Sequence, residues 1–232
     1  MPGPTIQALG DAAIVVTFGA EMSEAVNDRV MALAASLAAA PLSPHVRDIV
    51  PAIASLVVHV DPRHARVEEL MAKLRERTKF YPVDFPRLTE PGKINRVEFR
   101  EVRVHDIPVR YGGEFGPDLA DVAAFAGIDA AEVVRRHIAA AYRVYMLGFL
   151  PGFAYLGKVE PSIAAPRRST PRQQVPAGSI GIAGPQTGIY PQESPGGWQL
   201  IGRTACRMFD ASSGRSLLQP GDGVRFVLES SL

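Results

Sequence analysis

The chain has 232 residues, with 25 Lys plus Arg against 24 Asp plus Glu and a single cysteine. A formal net charge of +1 supplies no sequence-independent attraction to nucleic acid or to an anionic membrane surface. The lone Cys206 excludes an internal disulfide and any multi-cysteine zinc or iron–sulfur site within the chain, and fits a reducing compartment.

At the N-terminus, residues 1–18 carry no basic n-region. The apolar run Ala12 to Val16 is too short for a signal segment or for the ~20 residues that span a bilayer. The expectation is a soluble, cytoplasmic protein. Thr5 to Leu9 and Ala12 to Phe18 read as two strands joined at Gly10-Asp11, a turn dipeptide that tolerates positive φ. From Met22 to Ala40 the period changes: Val26, Val30, Leu33, Ala34 and Leu37 recur at helical spacing, and Pro41 ends the pattern. That stripe is read as core. Two more strands between Asp48 and Val60, with Pro51 between them, precede a second amphipathic helix marked by Val67, Leu70, Met71 and Leu74. The first unit is thus predicted as ββαββα, its helices covering one face of an antiparallel sheet.

Residues 81–95 contain three prolines and no periodicity, as a semi-rigid connector would. The domains are therefore placed at 1–95 and 96–232. Strands are predicted at 96–104 and 107–111, then helices over 118–126, where Pro117 and Asp118 suit a helix start, and over 130–141. Beyond Tyr142 the texture is β: short apolar runs are punctuated by Pro-Gly, Ala-Gly and Pro-Gly-Gly, the pattern of a closed or sandwiched antiparallel sheet.

The chain has no G-x-x-x-x-G-K-[ST] loop, no G-x-G-x-x-G after a strand, no H-E-x-x-H and no EF-hand loop. Ala177-Gly178-Ser179-Ile180-Gly181 approaches a nucleophile elbow, but its first glycine is replaced by Ala177 and no strand-to-helix turn is expected there. The five histidines lack metal-ligand spacing. His59 and His105, in or beside strands, read as solvent-facing. His137, on an apolar helix side, is read first as a hydrogen-bonded structural residue and second as an acid–base or substrate-binding group. Asp222 reads as a turn residue entering the last strand.

The informative stretch is 142–202. Arg167, Arg168, Arg172 and Arg203 supply planar donor forks suited to a carboxylate or phosphate. Pro195-Gly196-Gly197 either brings bare backbone N–H groups close to a ligand or is a plain tight turn. Gln186 and Tyr190 share the segment. Phe149, Phe153, Tyr155 and Trp198 read as barrel filling and loop packing.

The segments YRVYMLGFLPGFAYLG, PRRSTPRQQVPAGSIGIAG and PQTGIYPQESPGGWQLIGRT, with IPVRYGGEFGPDLADVA upstream and LLQPGDGVRF at the end, resemble the family of the 5-oxoprolinase B subunit, also called allophanate hydrolase subunit 1. The same family includes the inhibitor of a sporulation histidine kinase. The likeness covers nearly the whole chain and is strongest from Ile107 to Phe226. It implies an α+β fold class, with an N-terminal α+β sandwich domain followed by a cyclophilin-like β-barrel. It also implies two partners, the 5-oxoprolinase C subunit (allophanate hydrolase subunit 2) and a separate A subunit. Together such proteins open the lactam of 5-oxoproline to glutamate using ATP with Mg, with no cofactor held by this chain alone. Arg172, Gln186, Tyr190 and the Gly196-Gly197 backbone match the family's motif positions, the first three suited to catalysis and the two glycines to substrate binding. Arg167 is expected either to bind substrate in the same cleft or to brace the loop, and His137 is kept as a further substrate-binding candidate. Two alternatives accompany the resemblance: a module that binds a histidine kinase, and a carboxyltransferase component of a urea carboxylase/allophanate hydrolase system. For the latter, Lys73, Lys79, Lys93 and Lys158 lack Met-Lys-Met surroundings, so biotin would sit on another polypeptide.

Overall fold

The computed structural model describes residues 3–79 and 103–229. The expected connector at 81–95, the domain boundary beside it and the strand expected from residue 96 as far as 102 lie outside the described residues. The chain divides into two compact units, within 1–101 and within 102–232. It is a mixed α/β protein with four helices and one closed barrel among the described residues.

In the first unit β1 (Thr5–Ala8) and β2 (Ala13–Thr17) form a hairpin whose Gly10 has φ +67°. Helix α1 (Glu24–Ala39), β3 (Val46–Pro51), β4 (Ser55–Val60) and α2 (Val67–Thr78) follow. The sheet is antiparallel in the order β1-β2-β4-β3. Its apolar face, Ile14, Val16, Leu56, Val58 and Val60, meets Val30, Leu33 and Leu37 of α1 and Leu70 and Leu74 of α2. Each such fully buried side chain contributes about 1.5–3 kcal/mol, so the periodic stripe read from the sequence is core. Buried Asn27 fastens α1 to the β3–β4 turn by donating to the carbonyls of Ala52 (3.2 Å) and Ile53 (3.1 Å). Helix α1 has no basic residue in its own last turn. Arg77 of α2 supplies one, donating to the Ser36 hydroxyl at 2.9 Å and the Ala40 carbonyl at 3.3 Å and satisfying carbonyls that the helix end leaves open.

The second unit opens with β5 (Val104–Tyr111), α3 (Leu119–Ala126) and α4 (Ala130–Ala139). Gly127, at φ +67°, ends α3 in a left-handed turn, and the Asp129 carboxylate starts α4 by accepting the Glu132 N–H at 2.7 Å. Strands β6 (Ala141–Leu147), β7 (Ala154–Gly157), β8 (Arg172–Val175), β9 (Ser179–Ala183), β10 (Gln186–Ile189), β11 (Ser194–Gly196), β12 (Gln199–Arg203), β13 (Phe209–Asp210), β14 (Arg215–Ser216) and β15 (Gly223–Leu228) complete it, with one 3-10 turn at Pro161–Ile163. Seven strands close a barrel in the order β10-β7-β6-β15-β5-β12-β9, and β9 returns to β10. Only β15 and β5 run parallel among its described pairs. Ile107, Val109, Val144, Leu156, Ile180, Ile182 and Phe226 fill the core, with Val122 and Val133 of the helices packed on it. Strands β8 and β11 stand apart as a two-stranded ribbon. No helix among the described residues is long and apolar enough to cross a membrane.

Candidate functional site

Beside the barrel core lies a second, smaller apolar cluster of Phe153, Val175, Ala183, Tyr190, Trp198 and Leu200. Phe153 is its hub, meeting Tyr155, Tyr190 and Trp198 edge-on with ring centroids 4.9, 5.2 and 5.5 Å away. The ribbon and the segment before it bring the arginines to this cluster. Arg167 lies over the Trp198 ring at 5.9 Å. Arg168 is held by its own N–H, which donates to the Gly197 carbonyl at 2.8 Å. Arg172 stands opposite Gly196 across the ribbon.

Asp118 organises two of these guanidiniums. It occupies the N-cap position of α3, yet its side chain makes no capping bond. Its Oδ1 instead accepts from Arg172 Nη2 at 2.6 Å and Arg168 Nη1 at 2.8 Å, while Oδ2 accepts the Leu200 N–H at 2.7 Å. The loop before it is pressed onto β12: a Cβ on Gly116 would fall inside the Ile201 carbonyl, so only glycine allows that approach. The Asp118 carboxylate is buried, while the Arg168 and Arg172 side chains keep 33% and 23% of their exposure.

Several polar atoms of this lobe are buried without a protein partner: Arg168 Nε, Arg172 Nη1, Ser194 Oγ and Gln199 Oε1. Buried polar groups are normally paired, so a group of unpaired ones marks a place where water or a ligand is expected. Tyr190 belongs to the same lobe. Burial pushes its phenol up, while the Trp198 N–H, Arg167 and Arg172 pull the other way. Tyr155 is likewise raised by burial and opposed by Arg167.

The structure therefore brings together Arg167, Arg172, Tyr190, Gly196 and Gly197. Of the two glycines, Gly196 is the constrained one: a Cβ there would collide with the Tyr190 hydroxyl, whereas one on Gly197 would meet only Pro171 at 3.6 Å. The close backbone approach at this turn is toward Tyr190. Gln186 does not join the group. It pairs with Gly157 and Ala183 at the end of β10 away from Tyr190, about 13 Å along the strand at ~3.3 Å per residue. Arg203 packs over Phe115 at 5.6 Å and shares that ring with Arg110.

His137 does not join it either. It is fully buried and stacks on Phe226 at 4.7 Å. The Thr187 hydroxyl donates to the Gly181 carbonyl at 2.9 Å, so it must accept from His137 Nε2 at 3.1 Å, which leaves Nδ1 to accept from the Tyr111 hydroxyl at 2.8 Å. Both ring nitrogens are satisfied, and burial pulls the imidazole down to about 3. In this geometry His137 is a hydrogen-bonded residue of the barrel core, apart from the arginine cluster. His105 is also corrected: it is no solvent-facing imidazole but sits 3.2 Å from the buried carboxylate of Asp222, which also accepts the Gln219 N–H. Among the described residues no three His, Cys, Asp or Glu side chains gather as a metal site.

Sequence reasoning misses the bonds of Asp118 to Arg168 and Arg172, the buried Ser194 hydroxyl and the outward turn of Phe149. Asp118 meets its arginines 50 and 54 residues later, a separation that leaves no local signal. Phe149 reads as filling in the sequence, but it is 61% exposed with φ +69° and stands edge-on to Phe153. A non-glycine residue in that region is strained, and such strain concentrates at functional sites.

Comparisons with known proteins identify the family. The family described as "Carboxyltransferase domain, subdomain C and D" matches residues 4–218. The 5-oxoprolinase B subunit of Bacillus subtilis (strain 168) is 42% identical over 96% of this chain and 91% of its own length. That of Escherichia coli O157:H7 is 55% identical over 55% of this chain and 59% of its own. Among solved structures, TTHA0988 superposes with a TM-score of 0.77 at 38% identity, covering 95% of this chain and 40% of that one. The Kluyveromyces lactis urea carboxylase shares the fold, with a TM-score of 0.73 at 18% identity over 98% of this chain and 22% of its own. The chain thus belongs to the carboxyltransferase subdomain C and D family, in the company of proteins named as the B subunit of 5-oxoprolinase.

Proposed function

We propose that this chain is the B subunit of a cytoplasmic, ATP-dependent 5-oxoprolinase complex. It contributes one side of an active site completed by the C subunit, works with the A subunit, and is inactive alone. The observation that carries the reading is the 42% identity with the Bacillus subtilis protein over 96% of the chain. The chemistry of the lobe supports it. An unactivated lactam is a poor electrophile. Transfer of the ATP γ-phosphoryl group to its oxygen, with ADP released, opens the ring carbon to attack by water. The C–N bond of that adduct breaks with the nitrogen leaving as the protonated amine, and a second water hydrolyses the acyl phosphate so formed to glutamate and phosphate. This chemistry builds negative charge on oxygens and calls for fixed donors in a dry cleft rather than for a nucleophile. Arg172, with a buried unpartnered Nη1, and the Tyr190 phenol are chemically suited to that task, as is the exposed Arg167 beside them. ATP and its Mg are used by the complex, and this chain alone holds no cofactor.

The test is reconstitution. The chain, mixed with its two partner polypeptides, is expected to release ADP at least tenfold faster with 5-oxoproline than without, and each of the three by itself to show no such stimulation. Equal rates with and without 5-oxoproline overturn the proposal. The carboxyltransferase name of the matching family favours a second reading, carboxyl transfer to a small amide. It predicts activity that needs a biotinylated protein and is blocked by avidin.

A further inference from the structure

We infer that Asp118 is a positioning residue that sets the charge of the anion this lobe accepts, making it a site for a single carboxylate rather than for a phosphate dianion. The inference rests on the proposed function in taking the lobe as the substrate site, and goes beyond it in naming what selects the ligand. Two guanidiniums and one carboxylate are in direct hydrogen-bond contact, at 2.6 and 2.8 Å, so the set carries one uncompensated positive charge. The flanking charges cancel: Arg167 lies over Trp198, and the exposed Asp121 carboxylate stands 4.0 Å from Arg168. Asp118 takes one nitrogen from each guanidinium and leaves Arg172 Nη1 and Arg168 Nε buried and unpaired, with the buried Ser194 hydroxyl unpaired in the same lobe. Charge is costly to bury unless it is matched, so the ligand that leaves least uncompensated charge is a monoanion presenting two acceptor oxygens. A carboxylate does this with one oxygen for each of the two unpaired nitrogens, in charge-assisted hydrogen bonds. A dianion would leave the cluster net negative.

The experiment is calorimetric titration of the whole chain at pH 8 with three probes: 5-oxoproline, its uncharged carboxamide and inorganic phosphate. The wild-type chain is expected to bind 5-oxoproline at least tenfold more tightly than phosphate and to show no heat with the carboxamide. Asp118→Asn, which leaves the cluster with two uncompensated charges, is expected to move the 5-oxoproline-to-phosphate affinity ratio at least tenfold toward phosphate. A residue with a merely structural role would weaken both ligands together. Arg168→Gln, which neutralises the cluster, is expected to weaken 5-oxoproline at least tenfold with the melting temperature preserved, and it decides the matter should Asp118→Asn fail to fold. Phosphate preferred by the wild type, carboxamide binding as tight as that of the acid, or an unchanged ratio in Asp118→Asn overturns the inference. If the charge rule holds while the reconstituted mixture ignores 5-oxoproline, the proposed function fails and the inference stands. If turnover occurs without the charge rule, the inference alone fails.

Discussion

Two polar networks of the barrel unit differ in one respect. Around His137 every ring nitrogen is used: Tyr111 donates to one, Thr187 accepts from the other, and the Thr187 hydroxyl in turn donates to the Gly181 carbonyl. Around Asp118 the carboxylate is saturated, but the guanidiniums that hold it keep buried atoms with nothing to bind. The first network is closed and serves the fold. The second is left open, which costs stability and is explained when something else completes it.

The largest expected effect breaks the open network. Arg172→Ala removes a donor aimed into the lobe and deprives Asp118 of a partner, so the reconstituted activity should fall about 100-fold or more, the scale seen when a fixed oxyanion donor is removed. Activity within threefold of the parent would show that Arg172 serves only the loop. Next comes the pair Gly196→Ala and Gly197→Ala. The first drives a methyl into the Tyr190 hydroxyl, while the second meets only an ordinary contact with Pro171. Gly196→Ala is expected to lower activity roughly tenfold and stability by about 1–3 kcal/mol, with Gly197→Ala within twofold of the parent. Equal behaviour of the two would end the assignment of Tyr190 to the lobe.

The closed network responds to pH. The His137 imidazole is held down to about 3 by burial, whereas in the unfolded chain it titrates near ~6.5. Between those values the unfolded state binds a proton that the folded state refuses. The contribution is therefore complete above about pH 6.5 and is lost as pH falls toward 3, by up to ~1.4 kcal/mol per pH unit. His137→Gln should cost about 1–3 kcal/mol at pH 7.5, and the gap to the parent should narrow in urea melts as pH drops to 4.5. A gap that stays constant over that range would mean the imidazole is not sealed from protons.

The same contrast explains what the sequence could and could not say. The helical stripe of Val30, Leu33 and Leu37 and the turn at Gly10 were legible because periodicity and positive φ are local properties. So was the grouping of Arg167, Arg172 and Tyr190, which one segment carries. Gln186 shares that segment too, but a strand runs straight, and four residues were enough to carry it to the far end of β10. Asp118 was legible as a helix start and illegible as an arginine clamp, because its partners arrive only after the barrel has brought the β8–β11 ribbon beside α3. Phe149 escapes for a different reason: an aromatic in an apolar run looks like filling, and only the backbone shows it turned outward.

Ser179 gives the smallest expected effect and the sharpest limit on the comparison, because its hydroxyl is buried and unpaired although it stands in the barrel wall. Gly178, at φ +78°, turns the chain into a strand there and not into a helix, so the residue lacks the exposed elbow a serine nucleophile needs. It faces Arg203 in the β9–β12 register. That guanidinium lies over Phe115 and its Nε is buried and unpaired, but no carboxylate joins it there as Asp118 joins Arg168 and Arg172. If an unpaired atom marks a site only where a charge cluster surrounds it, Ser179→Ala removes a desolvated hydroxyl and nothing more. The expected outcome is unchanged activity of the reconstituted complex and a stability equal to the parent's or higher by up to about 1 kcal/mol, read from the urea midpoint. A 100-fold loss of activity without a change in that midpoint would make Ser179 a participant in the chemistry, and the open network around Asp118 would no longer be the distinguishing feature of the site.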